Sequence, residues 1–279
     1  MKSSRHPARH LLIRRHSLVV RITHWINVLC LSFLLMSGLQ IFNAHPRLYW
    51  GEYGANTDRP FITIESTGNE QSPGGYFQLG TLRFDTTGFL GASKDEGIMM
   101  PRAFPAWLTL PAWQDLGAGR HWHFFFAWLF VINGLVYLLD SLWRGHFRRD
   151  LLPDRRELGL RHLWQETINH ARLRFARGKE ARHYNALQKI TYLLVIVILL
   201  PVMVLTGLTM SPAIDAAFPF LLDLFGGRPS ARTLHFITAN LLLLFVVVHV
   251  LMVLVSGVWN NLRSMITGRY AIKDDGEVP

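Results

Sequence analysis

Apolar residues along this chain are gathered into four long segments that are separated by polar stretches. The segments run from Leu18 to about Phe42, from His121 to Trp143, from Ile190 to Met210 and from Leu234 to Trp259. Each reaches the length of about 20 residues that a helix needs to cross a hydrocarbon core of about 30 Å. A helix also satisfies its own backbone groups in lipid. The pattern predicts an all-α integral membrane protein, a four-helix bundle with a long external loop between helices 1 and 2.

Lysine and arginine in the flanks predict the orientation of these helices. The leader up to residue 21 has six basic residues and no acid, and the segment 144–182 has eleven basic residues against five acids. Loops this basic stay in the cytoplasm. The loop 43–120 has six basic residues against eight acids, so we expect it on the outer, periplasmic side. Both termini and a basic connector, residues 144–186, are then cytoplasmic.

The net charge of +10 follows from the same asymmetry. We therefore do not interpret it as a nucleic-acid-binding surface. Membrane lipid, in particular anionic head groups, is the partner that the basic flanks predict.

Cysteine usage limits the metal chemistry that the chain can support. Cys30 is the only cysteine in the sequence. An internal disulfide, a thiolate-bound iron–sulfur cluster and the Cys-x-x-Cys-His attachment of covalent haem are therefore excluded. A metal centre would have to use histidine and carboxylate ligands.

Two histidines, His235 and His249, lie fourteen residues apart in the fourth apolar segment. Fourteen residues of helix return to nearly the same face after a rise of roughly 21 Å. An ionisable residue within a membrane is costly and usually functional. One helix would thus present two imidazoles in one direction at two depths, which suggests two stacked metal centres.

Two further histidines match these in depth. His24 lies near the cytoplasmic end of helix 1, on the level of His249, and His123 lies near the outer end of helix 2, on the level of His235. Two axial imidazoles at one level in a helix bundle suit a six-coordinate haem b. The adjacent His121 would face elsewhere, because two residues turn a helix by about 200°.

Other metals would need ligands that these helices lack. Zinc or di-iron sites cluster more ligands at one depth, including carboxylates, and the four segments offer only Asp140. Asp140 could carry protons, or it could be a boundary carboxylate that pairs with an arginine.

An arginine precedes three of the four histidines by three residues: Arg21, Arg120 and Arg232. Positions i and i+3 share a helix face, and guanidinium groups bind carboxylates in bidentate fashion. We expect these arginines to bind haem propionates. The alternative is that they are ordinary snorkelling arginines at helix ends.

These motifs resemble those of the di-haem cytochrome b subunits of nickel-iron hydrogenase, formate dehydrogenase and thiosulfate reductase. His24-Trp25, Arg120-x-x-His123 and the pair His235 and His249 match the family's ligand motifs. Tyr184-Asn185-Ala186-Leu187-Gln188-Lys189 and Thr206-Gly207 are similar to its motifs around helix 3. The resemblance covers all four helices.

What the resemblance implies is a bacterial inner-membrane cytochrome with two haems b. His24 and His249 would hold the cytoplasmic-side haem, and His123 and His235 the periplasmic-side haem. Asn185 and Gln188 would contact a quinone, either menaquinone or ubiquinone, close to His249. Leu187 stands where formate dehydrogenase has glycine. The same segment could instead be an interfacial helix start anchored by Lys189.

The loop 43–120 is the chain's main departure from these relatives. It is rich in aromatic residues, glycine and proline, has no strong helical period, and is too aromatic for a disordered segment. We interpret it as a cap that shields the outer haem and docks a periplasmic redox protein. Its resemblance to loops of other cytochromes b implies that this partner is a molybdenum enzyme of the thiosulfate or sulfite type. A lid that packs only on its own helices is the alternative.

The sequence as a whole predicts one membrane domain, residues 1–279, that passes electrons between the quinone pool and a periplasmic enzyme. An alternative is a self-contained oxidoreductase whose outer haem acts on a small molecule such as superoxide or a ferric chelate. Deletion of residues 55–105 distinguishes the two hypotheses, because it should abolish partner-dependent activity but spare the reaction with a small molecule. A third hypothesis is a haem-free scaffold or transporter.

Overall fold

The structure is a computed structural model that describes residues 10–54, 58–68, 73–145, 152–154, 157–171 and 186–273. The chain forms two compact units. The first unit comprises residues 1–25, 134–198 and 242–279, and the second comprises residues 26–133 and 199–241. Each unit contains parts of all four apolar segments.

The described residues are mostly helical. The helices are α1 Leu18–Asn43, α2 Leu116–Trp143, α3 Leu160–Ala171, α4 Ala186–Leu193, α5 Leu200–Leu208, α6 Pro212–Ala217, α7 Phe220–Phe225 and α8 Arg228–Thr267. Four helical stretches in the described chain are long and apolar enough to cross a membrane: α1, α2, the continuous run Ala186–Leu208, and α8. The short helices α3, α6 and α7 lie outside these stretches.

Three of the four long helical stretches extend beyond the apolar segments from which they were predicted. The third begins at Ala186 rather than Ile190. α2 begins at Leu116 rather than His121 because Asp115 caps it: its Oδ1 accepts a hydrogen bond of 2.9 Å from the backbone N–H of Ala118. α8 begins at Arg228 rather than Leu234 and ends at Thr267 rather than Trp259. Hydropathy identifies only the part of a helix that lies in lipid. The polar turns at either end of the helix are not apolar, so the prediction missed them.

The third membrane helix changes its winding in the middle. Residues Leu194–Leu199 form a π-helical stretch between α4 and α5. Pro201 follows at the start of α5. Proline has no N–H to donate, and its ring crowds the carbonyl four residues earlier, which a wider turn relieves.

Helix α8 contains one break, at Gly257. This residue has φ 110° and ψ 82°, a conformation that only glycine adopts at low cost. The side chain of Asn261 donates hydrogen bonds across the break, to Ser256 Oγ at 2.9 Å and to the carbonyl of Val253 at 3.5 Å. The helix then continues to Thr267.

The all-α prediction is wrong for the loop between α1 and α2, which contains β-structure. Its strands are β2 Arg47–Leu48, β3 Ile62–Ser66, β4 Gly75–Leu79, β5 Leu82–Asp85, β6 Ala92–Asp95 and β7 Ile98–Pro101. Strands β2 to β5 form an antiparallel sheet in the order β2-β3-β4-β5, and β6 pairs with β7. A 3-10 turn, Ala106–Leu108, follows. The strands are two to five residues long, too short to show a clear alternation.

This cap, residues 44–115, has its own apolar core within the second unit. Leu48, Ile62 and Ile64 of the sheet are buried together with Phe42 at the end of α1. Phe42 in turn stacks on Phe236 of α8, with ring centroids 4.8 Å apart. The core therefore fastens the sheet to α1 and α8.

Polar contacts with the first turns of α8 hold the cap as well. Thr233 Oγ1 donates a buried hydrogen bond of 2.6 Å to the carbonyl of Tyr49. Ser230 Oγ accepts one of 2.7 Å from the N–H of Gly51. The loop is thus folded and packs on the start of α8.

The two ends of the described chain meet in the first unit. Strand β1 His10–Arg14 pairs antiparallel with β8 Arg269–Lys273, with Leu12 opposite Ala271 and Arg14 opposite Arg269. This ribbon joins the segment before α1 to the segment after α8.

Candidate haem-binding sites

His123 of α2 and His235 of α8 face each other in the second unit. Their ring centroids are 6.3 Å apart and their ring planes are inclined by 63°. Both residues are half-buried, whereas the neighbouring His121 is exposed. The structure therefore brings together the pair that the sequence predicted and leaves His121 outside it.

His24 of α1 and His249 of α8 form an equivalent pair in the first unit. Their ring centroids are also 6.3 Å apart, again with an inclination of 63°. Phe245 stacks on His249 at 6.0 Å, and Trp25 meets the His24 ring edge-on at 5.5 Å. These aromatic contacts restrict the rotation of both imidazoles.

The spacing within each pair suits one metal ion between two imidazoles. Two rings that bind opposite sides of a metal at about 2.0 Å, each with its centroid about 1.15 Å behind the ligating nitrogen, would have centroids about 6.3 Å apart. A direct hydrogen bond between the rings would bring the centroids about 1 Å closer. Both pairs therefore fit an axially bound haem iron.

A hydroxyl group orients each histidine of the pair in the second unit. Ser37 Oγ lies 3.0 Å from His123 Nδ1, and Thr206 Oγ1 lies 3.1 Å from His235 Nδ1. Both hydroxyl groups donate their only proton to a carbonyl one turn earlier, Phe33 and Val202, at 2.6 Å each. Each hydroxyl oxygen must then accept from the imidazole, so Nδ1 carries the proton.

A backbone carbonyl strengthens this assignment at both residues. His235 Nδ1 lies 3.1 Å from the carbonyl oxygen of Met203. His123 has the equivalent backbone hydrogen bond with Leu34. A carbonyl can only accept, so the hydrogen-bond network assigns the Nδ1–H tautomer. Nε2 of each ring keeps the lone pair that a metal ion needs.

A glycine follows each of the two hydroxyl residues and makes room for the imidazole. A methyl group on Gly38 would lie 3.3 Å from His123 Cε1, and one on Gly207 would lie 3.3 Å from His235 Cε1. Helix α1 therefore holds His123 in the same way that α5 holds His235, through a hydroxyl–glycine pair. The sequence interpretation included Thr206-Gly207 and missed Ser37-Gly38.

Among the described residues, no group of three or more histidine, cysteine, aspartate or glutamate side chains could hold a metal ion. Asp140 forms an ion pair with Arg144 at 2.6 Å, one turn along α2. The donor set in the membrane helices thus consists of paired imidazoles, which is the ligand set of a bis-histidine haem.

Comparison with known proteins agrees with this geometry. The family model described as prokaryotic cytochrome b561 matches residues 15–268. The chain belongs to the prokaryotic cytochrome b561 family. This confirms the resemblance to bacterial membrane cytochromes b, and membership of the family implies haem b and a place in the membrane.

One curated relative of the cytochrome is a putative protein-methionine-sulfoxide reductase subunit, YedZ1, from Azospira oryzae. It is 29% identical over 234 residues, which cover 84% of this chain and 87% of the relative. No solved structure matches the chain.

The three arginines that precede the ligand candidates have different contacts in the cytochrome. Arg21 donates to the carbonyls of Met265 and Ile266 at the end of α8. Arg232 donates to the carbonyls of His45 and Arg47 in the cap. The exposed Arg120 lies over the ring of Phe124, at 5.7 Å. Two of the three therefore also tie chain segments together.

The residues predicted to contact quinone are described in part. Asn185 lies outside the described residues, and Gln188 is half-buried on α4. Next to it, the ammonium group of Lys189 binds both carboxylate oxygens of Glu157, at 3.1 and 2.9 Å. Leu187 N–H donates to Glu166 Oε2 at 3.1 Å. Carboxylates of the connector therefore hold the start of the third membrane helix.

Glu157 is held in its ionised form. Burial alone would raise its pKa, but the hydrogen bonds from Lys189 and from the backbone N–H of Asp154 outweigh burial and lower the pKa below its usual value. The sequence interpretation assigned Lys189 only to an interfacial anchor and did not find its partner, because the two residues are 32 positions apart.

Proposed function

We propose that this cytochrome is a di-haem electron-transfer subunit that connects the membrane quinone pool with a periplasmic redox enzyme. The observation that carries the proposal is the presence of two imidazole pairs with the same ring spacing of 6.3 Å, His24 with His249 and His123 with His235. Helix α8 contributes to both pairs. A protein that needed only one haem would have no use for the second pair.

A haem b held by two histidines would pass single electrons and would leave no iron position open to a substrate. The chain's own residues determine how the imidazoles are held. Ser37 and Thr206 accept the Nδ1 protons of His123 and His235, which fixes the ring orientation and makes Nε2 the ligating atom. Gly38 and Gly207 allow the helix backbones to approach the rings. Arg21, Arg120 and Arg232 remain our candidates for propionate binding.

We place the quinone site beside the His24 and His249 pair, near Asn185 and Gln188. Gln188 is half-buried at the start of the third membrane helix, where a quinone head group from the membrane could reach it. The ion pair between Lys189 and Glu157 keeps this helix start in a defined position. The substrate is menaquinone or ubiquinone.

We place the partner enzyme on the cap, on the periplasmic side. The cap exposes large aromatic side chains: Tyr53, Trp107 and Trp113 are 79%, 67% and 67% exposed. Aromatic residues are enriched in protein interfaces. The relative's name, a methionine-sulfoxide reductase subunit, supports a partner that handles oxidised sulfur, and we expect a molybdenum enzyme.

The proposed location is the bacterial inner membrane, with both termini in the cytoplasm. The ribbon of β1 and β8 supports this topology, because it pairs the residues that precede α1 with those that follow α8. The described residues contain four membrane-spanning candidates, and an even number of crossings puts both termini on the same side.

Quinol-driven haem reduction in proteoliposomes tests the proposal. We expect quinol to reduce both haems of the wild-type protein. His249→Ala should remove one haem and abolish reduction by quinol, whereas His123→Ala should remove the other haem and leave the remaining one reducible.

His121→Ala is the matched control, because His121 is an exposed histidine on the same helix as His123. It should behave as wild type. A full haem content in both His123→Ala and His249→Ala, or wild-type haems that quinol cannot reduce, would contradict the proposal.

A further inference from the structure

A strongly basic cavity lies in the first unit, where the ribbon of β1 and β8 meets the start of α1 and the end of α8. Its volume is about 430 Å³, and three arginines and a histidine line it: Arg14, Arg21, Arg269 and His16. No carboxylate of the described residues contributes to its lining. The cavity is therefore built to hold negative charge.

The register of the ribbon places two of these arginines face to face. Arg14 and Arg269 are direct cross-strand partners at the end of the ribbon nearest the helices. Like charges directly opposite each other in an antiparallel pair are destabilising. An anion bound between the two guanidinium groups would convert this repulsion into attraction.

The turn between α8 and β8 creates the arrangement and depends on glycine. Gly268 has φ +80°, and a methyl group at this position would lie 3.1 Å from the carbonyl oxygen of His16 and 3.3 Å from Arg21 Nη1. The carbonyl of Gly268 accepts a hydrogen bond of 2.9 Å from the N–H of Arg15. This close approach brings the side chains of Arg14, Arg21 and Arg269 around one space.

The cavity also lies at the depth of lipid head groups. Helix α1 begins at Leu18 and α8 ends at Thr267, and both are membrane-spanning candidates. The lining residues come directly before the first helix and at or after the end of the second. Apart from Arg21, they are thus at the level of the polar membrane surface.

We propose that this cavity binds the phosphate of an acidic phospholipid, such as cardiolipin or phosphatidylglycerol. Guanidinium groups bind phosphate oxygens in bidentate fashion, and basic pockets between membrane helices on the cytoplasmic side suit anionic head groups. The proposal does not depend on the electron-transfer function. Free inorganic phosphate has the same chemistry and is distinguished by the experiment.

The test uses the full-length cytochrome, stripped of lipid in detergent, and native mass spectrometry to count bound lipids. Cardiolipin, phosphatidylglycerol and phosphatidylcholine are added separately, with and without inorganic phosphate as competitor. The test variant is Arg14→Gln/Arg269→Gln. The matched control, Arg161→Gln/Arg263→Gln, removes the same charge from two exposed arginines that do not line the cavity.

We expect one tightly bound acidic lipid on the wild-type protein and no equivalent phosphatidylcholine. The test variant should bind cardiolipin about thirtyfold more weakly, which corresponds to about 1 kcal/mol for each arginine near an anionic surface. The control should stay within about twofold of wild type. Displacement of the lipid by inorganic phosphate at low concentration would overturn the proposal, because the cavity would then prefer a phosphate ion from solution.

A second measurement guards against a folding defect in the test variant. Cardiolipin should raise the thermal unfolding temperature of the wild-type protein and of the control variant more than phosphatidylcholine does. In the test variant, the two lipids should raise the unfolding temperature equally. Equal lipid binding by all three proteins would overturn the proposal. A loss of haem from the test variant with unchanged lipid binding would also overturn it, because the cavity would then serve the propionates.

Discussion

The hydroxyl–glycine pairs Ser37-Gly38 and Thr206-Gly207 are the residues that distinguish the site in the second unit from a chance meeting of two histidines. In both, the hydroxyl proton is used within its own helix, and the oxygen accepts from the imidazole. In both, the glycine faces the same imidazole atom at the same distance. Because the same two contacts occur at both histidines, we infer that these residues set the orientation of the imidazole rings and do not only pack the helices together.

Substitution of Ser37 by alanine should change the haem potential without removing the haem. The lost hydrogen bond makes His123 a weaker donor to the iron, which disfavours the ferric state. We expect the midpoint potential of one haem to rise by about 20–40 mV, since a net hydrogen bond is worth about 1 kcal/mol and Leu34 still accepts. A redox titration followed in the visible spectrum measures this.

Ser32→Ala is the control for this substitution, because Ser32 Oγ also donates to a carbonyl of α1, that of Val28 at 2.9 Å, but no contact with a ligand histidine is found among its described interactions. It should leave both potentials unchanged. Equal potentials in Ser37→Ala and wild type would show that the hydroxyl does not act on the ligand.

Alanine at Gly207 should reduce haem occupancy at one site. The added methyl group would press on His235 Cε1 at 3.3 Å and tilt the ring away from Thr206 and Met203, the residues of the same helix that bind its Nδ1. We expect about one haem per chain instead of two, because a tilted imidazole no longer points at the iron. Haem and protein are quantified in the same sample.

The comparison variant for Gly207→Ala is Gly134→Ala on α2, where a methyl group would meet nothing within 4 Å. It should keep its full haem content and gain stability, by about 1 kcal/mol, from the better helix propensity of alanine. Full haem content in Gly207→Ala would show that the glycine is not needed for the site.

At the scale of elements, the start of the third membrane helix depends on a carboxylate from the connector. Glu157 binds Lys189 within α4 while only 28% and 11% of the two side chains are exposed. Glu157→Gln would leave the ammonium group partly buried without its charge partner. We expect a loss of about 1–3 kcal/mol in the free energy of unfolding, measured as a lower thermal unfolding temperature in detergent at pH 7.

The stability that this ion pair contributes should depend on pH. The pKa of Glu157 is lowered in the folded protein. Its contribution to the free energy of unfolding is therefore fully present above the usual carboxyl pKa of 4.5 and is lost as the pH falls through the lowered pKa. The difference in unfolding temperature between wild type and Glu157→Gln should therefore shrink below pH 4.5. The control variant Glu96→Gln, at an exposed position, should unfold at the same temperature as wild type at every pH. If the difference in unfolding temperature between wild type and Glu157→Gln does not change with pH, the ionised Glu157 does not stabilise the fold through this ion pair.

The cap shows why some elements could not be predicted. Its strands are only two to five residues long, so an alternation such as that of Ile62-Thr63-Ile64-Glu65 ends before it stands out from the surrounding sequence. The turns did carry a signal: Gly80-Thr81 joins β4 to β5, and Glu96-Gly97, both with positive φ, joins β6 to β7. Two-residue glycine turns of this kind are typical of hairpins.

The membrane helices and the histidine pairs, in contrast, could be predicted from the sequence. A long apolar segment can only be a helix in lipid, and fourteen residues return His235 and His249 to one face. What the sequence could not show is the rotation of α1 and α5 about their axes. That rotation decides which of many serine, threonine and glycine residues meet the imidazoles.

At the scale of the whole molecule, the proposed electron-transfer function requires two haems in one chain. The difference between dithionite-reduced and oxidised visible spectra of the purified wild-type protein, with haem quantified per polypeptide, tests this most directly. We expect two low-spin b-type haems per chain. One haem per chain, or none in protein made with ample haem supply, would contradict it.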